Sequence, residues 1–283
     1  MPQSNVLDRL RAPGPLVAVE LRPPPAGLAA GDAMDTWIDM AHEVRRLARH
    51  DTVLFLTDNA VGAAEEENLR HLATNLAEEI SPERVVPFLT SKHAVDYCLL
   101  YAARAVSHGY QALTVLGGDR RVGAPRCVPH AYELRRVLRD RVPALALGGW
   151  ANPHRDAAQQ VDYLLDPTFT AEFFLTQIVS HHDLRAVEAF AREAERRGLR
   201  LPGVFGVFLY RSANPKTLAR LAEFLPVPAE GVTRDFASGQ SGEEICAETI
   251  RRLRDVGVEK VYVSNLGVKG AGERYRRLLG AVG

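Results

Sequence analysis

No stretch of this sequence approaches the ~18–20 consecutive apolar residues that a helix needs to span a bilayer, and its first residues, MPQSNVLDRLRAPGP, hold no apolar signal core. Neither a membrane span nor a secretory leader is expected. An excess of one charge is missing too. The 35 Lys and Arg balance the 35 Asp and Glu, so there is no global field to draw in nucleic acid or an anionic membrane. Cysteine is scarce: Cys98, Cys127 and Cys246 are odd in number, stand far apart, and form neither a C-x-x-C pair nor a disulfide framework. A reducing, cytoplasmic setting is expected. No G-x-G-x-x-G follows the first apolar run, which argues against a dinucleotide-binding doubly wound sheet. No Pro/Ser-rich linker divides the chain.

What is present is a regular alternation. Short apolar or β-branched runs stand at residues 15–21, 52–57, 84–89, 111–116, 143–149, 172–178, 203–209 and 260–266, separated by segments of helical spacing. Ser241 and Glu244 make an S-x-x-E capping box, and Gly109, Gly198 and Gly257 stand where helices should stop. Eight strands alternating with helices in 283 residues predict a single-domain α/β fold, a (β/α)8 TIM barrel over residues 1–283. Residues 1–14 read as an N-terminal extension, and residues 226–242 as a long irregular loop on the barrel.

Active sites of this fold gather at the C-terminal ends of the strands. Glu20 ends the first strand, Asp119 follows the fourth in LTVLGGDRR, and Gln177 lies near the end of the sixth. Strand alternation sets Leu16, Ala18 and Glu20 on one face and Val17, Val19 and Leu21 on the other. The larger apolar set should face the helices, so Glu20 points into the barrel. A carboxyl desolvated there has a raised pKa and can act as a general acid near neutrality. The competing readings are a strand-end ion pair of Glu20 with Arg22 or Arg211, a turn role for Asp119 after Gly117 and Gly118, and a core-satisfying role for Gln177. The segment SHHD at 180–183 invites a metal, but no third ligand stands at a recognisable spacing. No metal site is expected.

Three segments together carry a resemblance. VAVELRPPP is similar to the first-strand signature of 5,10-methylenetetrahydrofolate reductases, LTVLGGDRR resembles their strand-four segment, and EFFLTQIVSHHDLRAVEAFAREAERRGLRLPGVFGVF resembles their stretch through strands six and seven. The similarity runs from about Val17 to about Leu266, and it looks closest to a divergent, actinobacterial-type branch that works without flavin.

The resemblance implies that Glu20 is the proton donor, Asp119 the carboxylate near the pterin and Gln177 a pterin-binding amide. It implies methylenetetrahydrofolate and a nicotinamide dinucleotide, NADH or NADPH, as partners. The product would be 5-methyltetrahydrofolate, which serves methionine synthesis. Thr57 and His154 match flavin-contacting positions. Flavin-containing members, however, carry an arginine at the position of Gly117 and a histidine at that of Phe88, and with both replaced FAD is expected to be absent. The Gly117-Gly118 turn then holds Asp119. Phe205, Phe208 and Tyr210 are candidates for stacking on a pterin or nicotinamide, or else for core packing. Arg120 and Arg121 are candidates for phosphate or carboxylate contacts. A flavin- or deazaflavin-dependent reductase and a non-catalytic folate-binding barrel are the alternatives, and a homo-oligomer is compatible with either.

Overall fold

The computed structural model describes residues 5–24, 28–57, 76, 78–119 and 123–283. Its strands are β1 (Leu16–Leu21), β2 (Leu54–Leu56), β3 (Val85–Thr90), β4 (Ala112–Leu116), β5 (Ala146–Ala151), β6 (Phe173–Val179), β7 (Gly203–Phe208) and β8 (Lys260–Ser264). They form a closed barrel in sequence order, shut by β8 against β1 with Val17 opposite Val261. Every pairing is parallel. The chain is a (β/α)8 barrel.

Its strands are apolar on both faces because both faces are covered. Leu16, Ala18, Phe55, Val86, Ala112, Phe173, Val204 and Tyr262 fill the interior. Val17, Val19, Leu113, Val115, Leu147 and Val261 pack outward, into the layer shared with the helices. β5 begins three residues later than the apolar run suggests and continues through Trp150. Pro143, without an N–H, cannot join the ladder.

The described helices are α1 (Val6–Arg11), α2 (Ala30–Ala48), α3 (Val95–Ser107), α4 (Ala131–Arg141), α5 (Ala157–Leu165), α6 (Leu184–Arg196), α7 (Pro215–Ala222), α8 (Ala229–Ala237), α9 (Gly242–Asp255) and α10 (Ala271–Val282). None among the described residues is long and apolar enough to cross a membrane. The capping box of Ser241 and Glu244 opens α9 as expected, and Gly109, Gly198 and Gly257 take positive φ after their helices. The helical pattern at 63–80 falls almost wholly outside the described residues.

Two segments differ from the sequence reading. Residues 226–242 are not an irregular loop, since α8 occupies their middle. Pro226, Pro228, Gly231 and Gly239 read as turn punctuation, whereas the helix is held by Val232 and Phe236, an i,i+4 pair packed on the inner cluster. One such pair is too short to register as a period. The N-terminal extension, in turn, contains α1, whose Val6 and Leu10 join the interior cluster. Lys260 at the start of β8 donates to the Ala12 and Gly14 carbonyls, and Gly14 N–H donates to Glu259. An Arg9–Asp51 ion pair ties α1 to the approach to β2. The N-terminal end of the barrel is thereby sealed.

On the outside, Arg135 of α4 is fully buried with its guanidinium over the Phe169 ring. It donates to the carbonyls of Phe169 (2.6 and 2.8 Å), Thr170 (3.2 Å) and Val115 (3.3 Å). One side chain thus joins α4, the end of β4 and the turn before β6.

Candidate functional site

The open, C-terminal end of the barrel holds a cavity of about 440 Å3, within the range of small-molecule sites. Its wall includes Glu20, Thr57, Phe88, Gly117, Gly118, Asp119 and Gln177, which come from five strand ends far apart in sequence. The lining is mainly apolar, completed by Leu116, Trp150, Ile178, Tyr262 and, from the segment after α7, Phe224 and Leu225.

Glu20 is set by the parity of β1: Leu16 and Ala18 below it belong to the inner cluster, Val17, Val19 and Leu21 to the outer. Its Oε1 accepts a hydrogen bond from Ser264 Oγ at 3.0 Å. The neighbouring Tyr262 hydroxyl is committed elsewhere, donating to the Thr176 carbonyl at 2.7 Å. Burial pushes the Glu20 carboxyl up from 4.5 to about 7, against smaller lowering effects of the Ser264 hydrogen bond and the Arg22 charge. Part of its surface still opens to the cavity. The group is therefore a carboxylic acid that can hold its proton at neutral pH and reach a bound molecule.

Gln177 keeps the inward parity of Phe173 and Leu175 on β6. The β6–β7 register shifts between Leu175 and Ile178, and this irregularity turns Ile178 inward as well, so that both line the wall. The Gln177 Oε1 accepts from the Ile178 N–H at 2.8 Å, which fixes the amide and leaves its NH2 as donor.

The Gly117-Gly118 turn presents Asp119 to the same space. Gly118 has φ +70°, a conformation that favours glycine. At Gly117, a Cβ would stand 2.6 Å from the Arg126 guanidinium carbon. Arg126 donates to the Gly118 and Pro129 carbonyls and lines the cavity. A cation absent from position 117 is thus delivered from Arg126, which the sequence reading did not single out. Trp150, Phe224 and Leu225 were missed as well. Phe224 is a large exposed apolar side chain at the mouth, and in the sequence AEFLPVP it reads as the end of a helix.

Other expected residues lie elsewhere. Phe205 points outward, against Phe190 of α6 in the helix layer, and does not face the cavity. Phe208 and Tyr210 belong to the inner cluster, with rings 5.0 Å apart, yet neither lines the cavity wall. The Tyr210 hydroxyl is buried without a hydrogen-bond partner among the described residues, and burial pushes its pKa up. His154 stands beside the main cavity: its Nε2 is 2.8 Å from the Ile178 carbonyl, and it lines a smaller cavity of about 200 Å3 with Ser180, Asp183 and Pro226–Pro228. It supports the strand end rather than the wall. Arg120 and Arg121 lie outside the described residues.

The SHHD segment acquires a third ligand type through the fold. Asp235 of α8 reaches His181 and His182, with Oδ2 at 3.4 and 2.9 Å from their Nε2 atoms. No sequence spacing announces it.

Comparison with known proteins gives a fold and no family. No family model matches the chain, and no curated protein does. Among solved structures, a protein from Clostridium thermocellum that binds two copies of 5-methyl-5,6,7,8-tetrahydrofolic acid is similar at a TM-score of 0.65 and 17% identity, over 95% of this chain and 96% of that one. A protein from Toxoplasma gondii assigned as a deoxyribose-phosphate aldolase, solved in its apo form, is similar at a TM-score of 0.48 and 11% identity, over 98% of this chain and 95% of that one.

Proposed function

We propose that the chain is a methylenetetrahydrofolate reductase that transfers hydride directly from NADH or NADPH to the folate. The observation that carries this reading is Glu20, a carboxylic acid with a pKa near 7 opening onto an apolar cavity that also presents Asp119 and Gln177. The chemistry calls for such a set. The one-carbon unit of methylenetetrahydrofolate is locked in a ring between N5 and N10 and accepts hydride poorly. Glu20 gives its proton to N10, the C–N10 bond breaks, and an N5 iminium cation forms. The Asp119 carboxylate stabilises that cation as it develops. Hydride then adds to the iminium carbon and yields 5-methyltetrahydrofolate, while the nicotinamide is oxidised. The Gln177 NH2 and the ring of Trp150 suit the polar edge and the face of a pterin. That a barrel of the same fold binds 5-methyl-5,6,7,8-tetrahydrofolic acid, the product of this reaction, supports a folate as the ligand.

A second reading is favoured by one observation. Arg126 restores a cation above Gly117, where the flavin-containing reductases carry arginine, so one of the two basic positions missing for flavin is supplied from elsewhere in the chain. The purified protein separates the two. The direct mechanism gives a colourless protein that oxidises reduced nicotinamide when methylenetetrahydrofolate is added, with double-reciprocal plots that intersect. A stoichiometric flavin band, parallel plots, or activity only on adding FAD would establish the flavin reading. No turnover with either nicotinamide, with or without flavin, would leave a folate-binding barrel without this activity.

A further inference from the structure

We propose that His181, His182 and Asp235 bind a divalent transition ion of the zinc class, which staples α8 to the end of β6. This site is separate from the chemistry assigned to Glu20 and Asp119 and does not depend on it. Three observations converge on it.

The first is spacing. One ligand atom from each residue falls within 4.8 Å of the others, and the carboxylate oxygen stands 3.4 and 2.9 Å from the two imidazole nitrogens. Ligand atoms held at ~2.0–2.1 Å around a tetrahedral zinc are about 3.3 Å apart. The cluster needs only small adjustments to close on an ion.

The second is the direction of hydrogen bonds. The Thr249 hydroxyl on α9 donates to the Ile245 carbonyl at 3.2 Å. With the hydroxyl so engaged, its oxygen is placed to accept from His181 Nδ1–H, 2.8 Å away. In that arrangement the neutral ring carries a bare Nε2, and this lone pair faces the Asp235 carboxylate. Two lone pairs opposed in this way are the arrangement that a shared cation bridges. An outer partner that holds one ring nitrogen and frees the other is the usual support of a metal-binding histidine.

The third is unsatisfied polarity. His182 Nε2 and Asp235 Oδ2 are both buried and neither has a hydrogen-bond partner among the described residues, although they are 2.9 Å apart. The ring N–H is not aimed at the oxygen. Leaving both groups buried and unpaired is costly, and a shared ion satisfies both at once. The packing holds the ring there: a Cβ at Gly231 of α8 would come within 2.5 Å of His182 Nδ1, so glycine lets the helix approach. Two imidazoles and one carboxylate favour zinc and its first-row neighbours over calcium or magnesium. Three protein ligands leave a fourth position for water.

The test is a titration of the chelator-stripped full chain with zinc, followed by calorimetry, and with cobalt(II) as a visible probe. One equivalent should bind per chain, the melting temperature should rise with zinc, and the cobalt spectrum should lack thiolate charge-transfer bands. Asp235→Asn and His182→Ala should each weaken zinc binding at least ~100-fold, and Thr249→Val about 10-fold or more through the lost outer contact. Failure of the wild-type chain to take up one equivalent would overturn the proposal whether or not the variants fold. So would undiminished binding in folded Asp235→Asn, or a thiolate band that shows cysteine ligands instead. In those cases the three residues form only an imidazole–carboxylate contact.

Discussion

Replacing Glu20 by glutamine separates the acid from the shape of its site. Glutamine keeps an oxygen to accept from Ser264 Oγ, which now lies 3.0 Å from Glu20 Oε1, but it has no proton to give. The folded-state pKa of about 7 against an ordinary 4.5 corresponds to roughly 3 kcal/mol of penalty on the ionised form. Because part of the side chain meets cavity water, that figure is an upper bound. The sign follows from proton linkage. Below 4.5 the carboxyl is protonated whether folded or unfolded, and no penalty applies. Between 4.5 and about 7 only the unfolded chain gives up its proton, so stability falls as pH rises, and above about 7 the loss is constant. Glu20→Gln carries no such slope. The variant should therefore gain a few degrees in melting temperature over the wild type at about pH 8 and much less at about pH 5. Its kcat should fall at least ~100-fold, with a smaller change in folate affinity. In the wild type, kcat should decline about tenfold per pH unit above the ionisation near 7, and this inflection should be absent from the residual activity of the variant. A stabilised but inactive variant would be the signature of a desolvated acid. A wild-type profile flat across neutrality, or near-normal turnover in Glu20→Gln, would refute the reasoning.

Three further outcomes are expected. Asp119→Asn should slow turnover by roughly 10- to 1,000-fold without lowering the melting temperature appreciably, and unchanged turnover would reduce Asp119 to a turn residue. Folate binding should quench tryptophan emission from the cavity-lining Trp150, and the signal should vanish in Trp150→Phe while Trp37 still emits; a persisting quench would place the folate elsewhere. Arg135→Met leaves the carbonyls of Phe169, Thr170 and Val115 without their donor, and urea unfolding should register a loss of about 3 kcal/mol or more.

The barrel and its acid were legible in the sequence for the same reason. Buried parallel strands write continuous apolar runs, and the period of two then assigns Glu20 to the interior without any long-range information. The same rule could have excluded Phe205, which stands an odd number of residues from Phe208 on one strand and so cannot share its face. Ile178 shows the limit of that rule, because it joins Gln177 at the cavity through a register shift that composition does not announce. Trp150 was hidden because the apolar run stops at residue 149, short of the end of β5 at Ala151. Arg126 and Asp235 were hidden because neither sits on a strand: Arg126 folds back within its own loop across Gly117, and Asp235 reaches, from a different helix, two histidines distant in sequence. Side chains that act away from their own strand end leave no periodic trace.

The seal made by α1 at the N-terminal end is divided from the cavity by a solid interior, since Leu16, Ala18, Phe55 and Phe173 fill the space between them. Cork and mouth are therefore independent: α1 bears on the stability of the barrel's base, and the traffic of small molecules is decided wholly at the opposite rim.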